Sequence, residues 1–391
     1  MRWLEYGMVS RHRGRASLVL VLLVLVMSPV AAGQAATLNV VIGADVNVVD
    51  VHKTLLSTGF KERNPVVDFN VVGTGTGEAA SRAIYTKIKA QHDAGRKNWD
   101  VDVALVSMIV GSQMVREGLL HKYVPGIQAA KFVTGPETEQ AFGVPVGGYV
   151  VPMFHNQIAI AYNPKYVSKP PRSFDELVAW TQVNPGKFGY NGIKGGVSGQ
   201  GFTVGWVYWK TGQYQALTQG PFDKGKEPVW RQALEELKRF NANVAVTSGN
   251  AGTLDQLNRG EIWMGDVWID QLVAWKNEGR MDPTITPVLI SPGLPIYPLY
   301  LVVPREAANR DLAAKYIDHV SQPDVQAKVI VERFGWYPGI DSAVVLPLLS
   351  AKAKELLFKD VTPEDLAKYS RQMPIGDYFN AILLAYEEIV R

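Results

Sequence analysis

The residues with the most chemical potential lie in Glu261-Ile262-Trp263-Met264-Gly265-Asp266-Val267-Trp268. An indole can stack on sugar C–H groups or on a cation. A carboxylate accepts from hydroxyls or pairs with an amine. Trp263 and Asp266 are therefore expected on a ligand-cleft wall. The competing reading makes Asp266 the N-cap of a helix after a strand ended by Gly265, and the indoles core. Trp268 reads as core.

Two glycine-rich stretches offer backbone chemistry. In Gly195-Gly196-Val197-Ser198-Gly199-Gln200-Gly201 the glycines permit close backbone approach. N–H groups near Gly196 and Ser198, at a helix start, could hold an oxygen, with Trp206 following. The stretch lacks the Gly-Lys-Ser/Thr ending of a phosphate loop. In Gly73-Thr74-Gly75-Thr76-Gly77-Glu78 the glycines do not make G-x-G-x-x-G, so Thr74 and Thr76 are expected as hydroxyl donors to a ligand. Ordinary loop or turn readings stand beside both.

Enzyme chemistry finds little support. There is no H-E-x-x-H, G-x-S-x-G or S-x-x-K set in a convincing context. The six histidines are dispersed and cysteine is absent, so neither a catalytic dyad nor a resident metal is expected. No cofactor is expected.

Elements must position these groups. Leu38–Ile42 and Val66–Val72 read as strands, Glu78–Ala94 as a helix, and Trp99–Val106 as a strand that becomes fully apolar. This alternation predicts an α/β sheet with helices on its faces. Ser173, three positions before Glu176, predicts a capping box. Trp230, Ala233, Leu234, Leu237 and Phe240 fall on one helical face, as do Tyr378, Ile382, Ala385 and Ile389 behind Asp377 as N-cap. Leu299–Val303 returns to strand, and two helices broken at Pro323 follow.

The first 35 residues read as a secretory leader. Arg2, Arg11, Arg13 and Arg15 precede the apolar run Leu18–Met27, and small residues follow from Val30 to Ala35. That run is short for a membrane span. No cysteine follows to carry a lipid, so a cleaved, unanchored, periplasmic protein is expected. The leader takes four Arg and one Glu from 40 basic and 37 acidic residues, leaving 36 of each. A near-neutral chain has no global field to attract nucleic acid. The remaining length favours two domains.

Several segments together resemble the extracellular solute-binding proteins of ABC importers, the group with maltose-, polyamine- and iron-binding members. They are Gly143-Val144-Pro145 with Ala161-Tyr162-Asn163-Pro164, Pro170-Pro171-Arg172-Ser173-Phe174-Asp175-Glu176-Leu177, Leu257–Gly265, Val303-Pro304, and Ser321-Gln322-Pro323. The resemblance covers essentially the whole chain after the leader. It implies an α/β, two-lobed periplasmic-binding-protein fold (type II-like) with hinge crossovers and the ligand between the lobes. The expected division is 1–35 leader, 36–145 first lobe, 146–290 second lobe, and 291–391 return to the first lobe with the C-terminal helices. It implies no enzyme, but a monomer that hands a small polar solute to an inner-membrane permease. Asp45 sits where the family's first ligand loop falls. Tyr297 and Tyr300 flank the return strand, and Trp336 and Tyr337 lie in Phe334-Gly335-Trp336-Tyr337-Pro338-Gly339; these four are candidate cleft rings, with Tyr297 and Trp336 favoured. The chain has no Tyr-Tyr pair, which argues against iron. Aromatic rings with few carboxylates favour a sugar or polyol. The alternative is a polyamine or other organic cation, which needs two or more carboxylates in the cleft. A secreted α/β hydrolase is the remote alternative.

Overall fold

The computed structural model describes residues 36–390; the expected leader lies outside them. Two mixed sheets organise the chain. The larger runs, in spatial order, Tyr337–Pro338, Val150–His155, Leu299–Val302, Val103–Ser107, Ala36–Ile42, Val67–Gly73. The smaller runs Thr286–Val288, Ile158–Tyr162, Met264–Trp268, Phe188–Tyr190, Val244–Val246. Val103–Ser107 and Met264–Trp268 are buried throughout. Strands covered on both faces must be apolar on both, which explains the hydrophobic run of Val103–Val106; Met264–Trp268 departs from it at Asp266. This is the expected two-lobed α/β architecture.

The local signals match the elements where the cause is local. The hydroxyl of Ser173 accepts from the Glu176 amide at 3.2 Å, and Glu176 accepts from the Arg172 amide at 2.8 Å. The first half of the expected box is made and the second is not, since Glu176 takes the amide of Arg172 and not that of the N-cap Ser173; the helix Phe174–Val183 starts on the serine cap. Gly77–Asp93 is a helix, as expected, and Pro323 begins a new helical segment after Arg310–Val320. Asp377 falls in the first turn of Gly376–Ile389 and not at its cap, which is Ile375.

The chain crosses between the sheets at Asn156-Gln157, later than the expected 145/146 boundary, because Val150–His155 is a strand of the larger sheet. It crosses back between Val288 and Leu299. The two crossings lie against each other: Gln157 bridges Ile296, and the Tyr297 amide donates to the Asn156 carbonyl at 3.0 Å. A third segment, Ser370–Arg371, pairs in parallel with Leu294–Pro295. After it, Gly376–Ile389 packs against Glu227–Asn241 beside the smaller sheet, and not next to the return strand. Tyr378 meets Trp230 edge-on at 5.6 Å, and Tyr386 Oη lies 3.0 Å from Tyr190 Oη. The apolar stripe seen in the sequence thus buries against the second layer, a partner that periodicity alone does not name.

Candidate functional site

A cavity of about 390 Å³ lies between the sheets, beside the crossings. Four groups of elements build it. The loop after Ala36–Ile42 brings Gly43 to Asn47. Gly77–Asp93 brings Glu78 and Ser81. The opposite wall comes from Trp268 and the helix Ile269–Asn277, with Asp270, Gln271 and Trp275. Phe154, Asn156, Tyr297, Leu299 and Trp336 form the floor next to the crossings.

Local causes bring the walls together. A Cβ at Gly43 would meet the backbone of Ser81 at 3.0 Å, so only glycine lets the Asp45 loop pass this close to the Glu78 helix. The Ser107 amide then donates to Ser81 Oγ at 2.9 Å, tying both to the central strand.

The electrostatics are one-sided. Asp45, Glu78, Asp270 and Glu278 line the cavity, and among the described residues no Lys, Arg or His does. Glu278 is exposed and pairs with Arg280 at 3.0 Å. Asp45 is exposed. Three buried atoms on the lining residues have no hydrogen-bond partner: Glu78 Oε1, Asn156 Oδ1 and Asp270 Oδ1. All three are acceptors. Glu78 Oε1 lies 3.6 Å from Arg82, and Glu78 Oε2 accepts from the Tyr297 hydroxyl at 3.1 Å. Burial raises the Glu78 pKa, against the opposing pull of Ser107, Tyr297 and Arg82. Burial pushes Asp270 up to about 7, and the charge of Asp45 adds to it. A carboxylate this reluctant to ionise calls for a donor-rich, positively charged partner.

Aromatic rings complete the walls. Trp336 stacks on Phe154 at 4.3 Å and on Phe334 at 4.9 Å. Trp268 tilts against Tyr297 at 6.3 Å. Trp268, expected as core, is buried and at the same time lines the cavity.

Of the residues singled out from sequence, Asp45, Tyr297 and Trp336 line this cavity. The others lie elsewhere. Thr74 turns inward and donates to the Ala80 carbonyl at 2.9 Å, and Thr76 is the exposed N-cap of the next helix. Gly196 and Gly199 approach protein, not ligand: a Cβ at Gly199 would collide with the Gly192 carbonyl, and one at Gly196 with Asn250 and Asn191 side chains. The Ser198 hydroxyl is used on Asn250 Oδ1 at 2.9 Å; Val197 and Asn250 line the cavity in its place. Trp206 is 1% exposed in the core, its N–H donating to the Ala233 carbonyl at 2.8 Å. Trp263 stacks on Tyr166 at 5.3 Å with Lys187 over its ring.

Asp266 is neither cap nor cleft residue. The strand continues through Gly265 to Trp268, and Asp266 sits at its centre, fully buried, with both oxygens lacking a hydrogen-bond partner. Burial pushes it up to about 7. The helix starts only at Ile269, so the cleft carboxylate of this segment is Asp270. Sequence reasoning missed Glu78, Asn156, Asp270 and Trp275. Two signals pointed to them: Glu78 directly follows the glycine-threonine run, and Asn156 interrupts an apolar strand pair.

Among the described residues, no group of three or more His, Asp or Glu could hold a metal ion. No described helix is long and apolar enough to cross a membrane.

Residues 58–356, well over half of the chain, match the family model of the bacterial extracellular solute-binding proteins. No curated protein matches significantly. Solved structures do. A spermidine/putrescine ABC transporter substrate-binding protein from Streptococcus pneumoniae is similar at TM-score 0.64 and 16% identity, covering 91% of this chain and 100% of that one. An ABC transporter protein from Clostridium perfringens is similar at TM-score 0.67 and 17% identity, over 90% and 100%. The TpPotD lipoprotein of Treponema pallidum is similar at TM-score 0.63 and 15% identity, over 90% and 99%. At such identities the structures speak for the fold. The family match and the two-lobed architecture together establish that this chain belongs to the bacterial extracellular solute-binding proteins.

Proposed function

We propose that the protein captures an organic amine, with a di- or polyamine as the best fit, and delivers it to an inner-membrane ABC permease. The single observation that carries this reading is the composition of the cleft: Asp45 and Asp270 without an ion-pair partner, buried acceptors on Glu78, Asn156 and Asp270 without a hydrogen bond, and no basic residue among the described lining residues. An ammonium brings three donors and the missing charge, which offsets the cost of burying carboxylates. The aromatic walls suit its methylenes and its cationic ends. Glu78 and Glu278 have arginine partners in Arg82 and Arg280, but a sugar would leave Asp45 and Asp270 without counter-charge, so the sugar preference drawn from the sequence is set aside. That the similar Streptococcus pneumoniae protein is a spermidine/putrescine substrate-binding protein supports this choice.

The remaining parts of the reading follow. The leader at 1–35 exports the chain, which works in the periplasm as a monomer without a lipid. One lobe gathers around the larger sheet and the other around the smaller. Closure brings Asp45 and Glu78 towards Asp270 across the ligand.

Calorimetric titration with spermidine, putrescine, maltose and glycerol tests it. Binding of the amines alone supports the proposal. Binding of maltose or glycerol without the amines would overturn it.

A further inference from the structure

The crossing segments form a partition with alternating sides. Phe154, Asn156 and Tyr297 face the cleft, whereas His155, Gln157 and Ile296 face a second cavity of about 330 Å³ behind them. The third segment closes this cavity with Ser370, Arg371 and Gln372. The cleft and the rear cavity therefore share a wall and no lining residue.

The charges of the rear cavity are opposite in sense to those of the cleft. Glu137 and His155 neutralise each other at 2.7 Å, and His155 Nδ1 donates to the Pro338 carbonyl at 2.7 Å, so that pair is satisfied. Arg371 is different. Its Nη1 donates to the carbonyls of Lys368 and Ser370, at 2.8 and 2.9 Å. Among the described residues its Nε and Nη2 have no acceptor and no carboxylate pairs with it. The guanidinium lies 5.4 Å from the Tyr214 ring, while Tyr337, Phe358 and Leu366 make the interior apolar. A guanidinium with a free two-donor edge at the mouth of an apolar cavity is complementary to a carboxylate on a short hydrocarbon body.

We propose that this rear cavity is a second binding site, for a small amphipathic monocarboxylate. Its carboxylate takes the Nε/Nη2 edge of Arg371, and its body lies against Phe358 and Leu366.

The test is calorimetric titration of the full chain with hexanoate, with hexanol as the uncharged control. Two variants of the cavity and one of the cleft are compared. Arg371→Met keeps the stem and removes the fork; Leu366→Trp fills the interior; Glu78→Gln alters only the cleft. Hexanoate is expected to bind at least about tenfold more tightly than hexanol, to lose at least about tenfold in R371M, and to be unaffected by E78Q. Circular dichroism confirms that each variant is folded; should L366W not fold, R371M decides alone. Absence of hexanoate binding, or equal affinity in R371M, would overturn the proposal. Loss of binding in E78Q would place hexanoate in the cleft and overturn it too. Amine titrations are independent of all these outcomes.

Discussion

The Tyr297 hydroxyl donates to Glu78 Oε2 at 3.1 Å, joining the return crossing to the first turn of the helix after the glycine-threonine run. Two segments far apart in sequence thereby share one wall of the cleft. The bond orients one carboxylate oxygen and leaves the other, Oε1, buried without a hydrogen-bond partner. Replacing the charge with Glu78→Gln is expected to weaken spermidine binding about ten- to a hundredfold, the scale of one charged hydrogen bond. Tyr297→Phe should cost only a few-fold. Equal affinity of E78Q and the parent chain, by calorimetry, would remove Glu78 from the site.

Amine binding should strengthen as pH rises. Asp270, pushed up to about 7, is largely protonated and neutral below that value in the free protein. An ammonium alongside favours the ionised form, so binding below pH 7 must expel a proton. Affinity is expected to gain up to about tenfold per pH unit between about 5.5 and 7, and then to level off. Proton release is read from titrations in buffers of different ionisation enthalpy. A flat profile with no release would show that Asp270 does not meet the cation.

Asp266 bears on stability and not on binding. Its folded pKa, about 7, lies above the ordinary value of 3.8. The folded state holds the proton more tightly than the unfolded one, so stability falls as pH rises through that window. Asp266→Asn escapes the penalty. It should raise the melting temperature at pH 8, by the equivalent of roughly 2–4 kcal/mol, and change little at pH 4. A lower melting temperature at pH 8 would mean that the ionised carboxylate has a partner.

The Glu137–His155 pair has the opposite sense. Burial by itself would raise the Glu137 pKa and lower that of His155. Their mutual attraction, with the Pro338 carbonyl, outweighs burial in both, so Glu137 is lowered and His155 raised. The His155 contribution is complete below the ordinary imidazole range and is lost as pH rises through its raised value. The Glu137 contribution is complete above the ordinary carboxylate range and is lost as pH falls through its lowered value. Stability from the pair is therefore greatest in mildly acidic solution. Glu137→Gln, which strands a buried partner, is expected to cost about 3–5 kcal/mol in urea unfolding near pH 6. A cost that does not vary with pH would show that the pair is not ionised.

Two tryptophans separate core from cleft. Trp206→Ala removes a fully buried indole and should cost about 3–5 kcal/mol of stability, leaving amine affinity intact in the folded protein. Trp336→Ala opens the cleft floor and should weaken amine binding several-fold. Loss of binding in a folded W206A would return Trp206 to the list of ligand groups.

The legible part of the molecule is the part with local causes. The serine cap at Ser173, the helix after Gly77 and the buried strands follow from hydrogen bonds and periodicity within a few residues. The site was legible only in part. Asp45, Tyr297 and Trp336 reach the cleft, whereas Trp206 and Trp263 carry the same chemistry and do not. An indole reads alike whether its neighbours are protein or ligand, and only packing separates the two.

By itself the sequence determined that this chain is an α/β protein of the solute-binding kind, because alternation, caps and the order of segments depend on near neighbours. Tertiary structure decided the rest. It carried the strand through Gly265 and buried Asp266, moving the cleft carboxylate to Asp270. It also folded the last helix onto the second layer, and set Glu78, Asn156 and Asp270 around one cavity without a cation. The proposed preference for an amine over a sugar rests on that convergence: the sign of a cleft is a sum over residues that only folding brings within reach of one another.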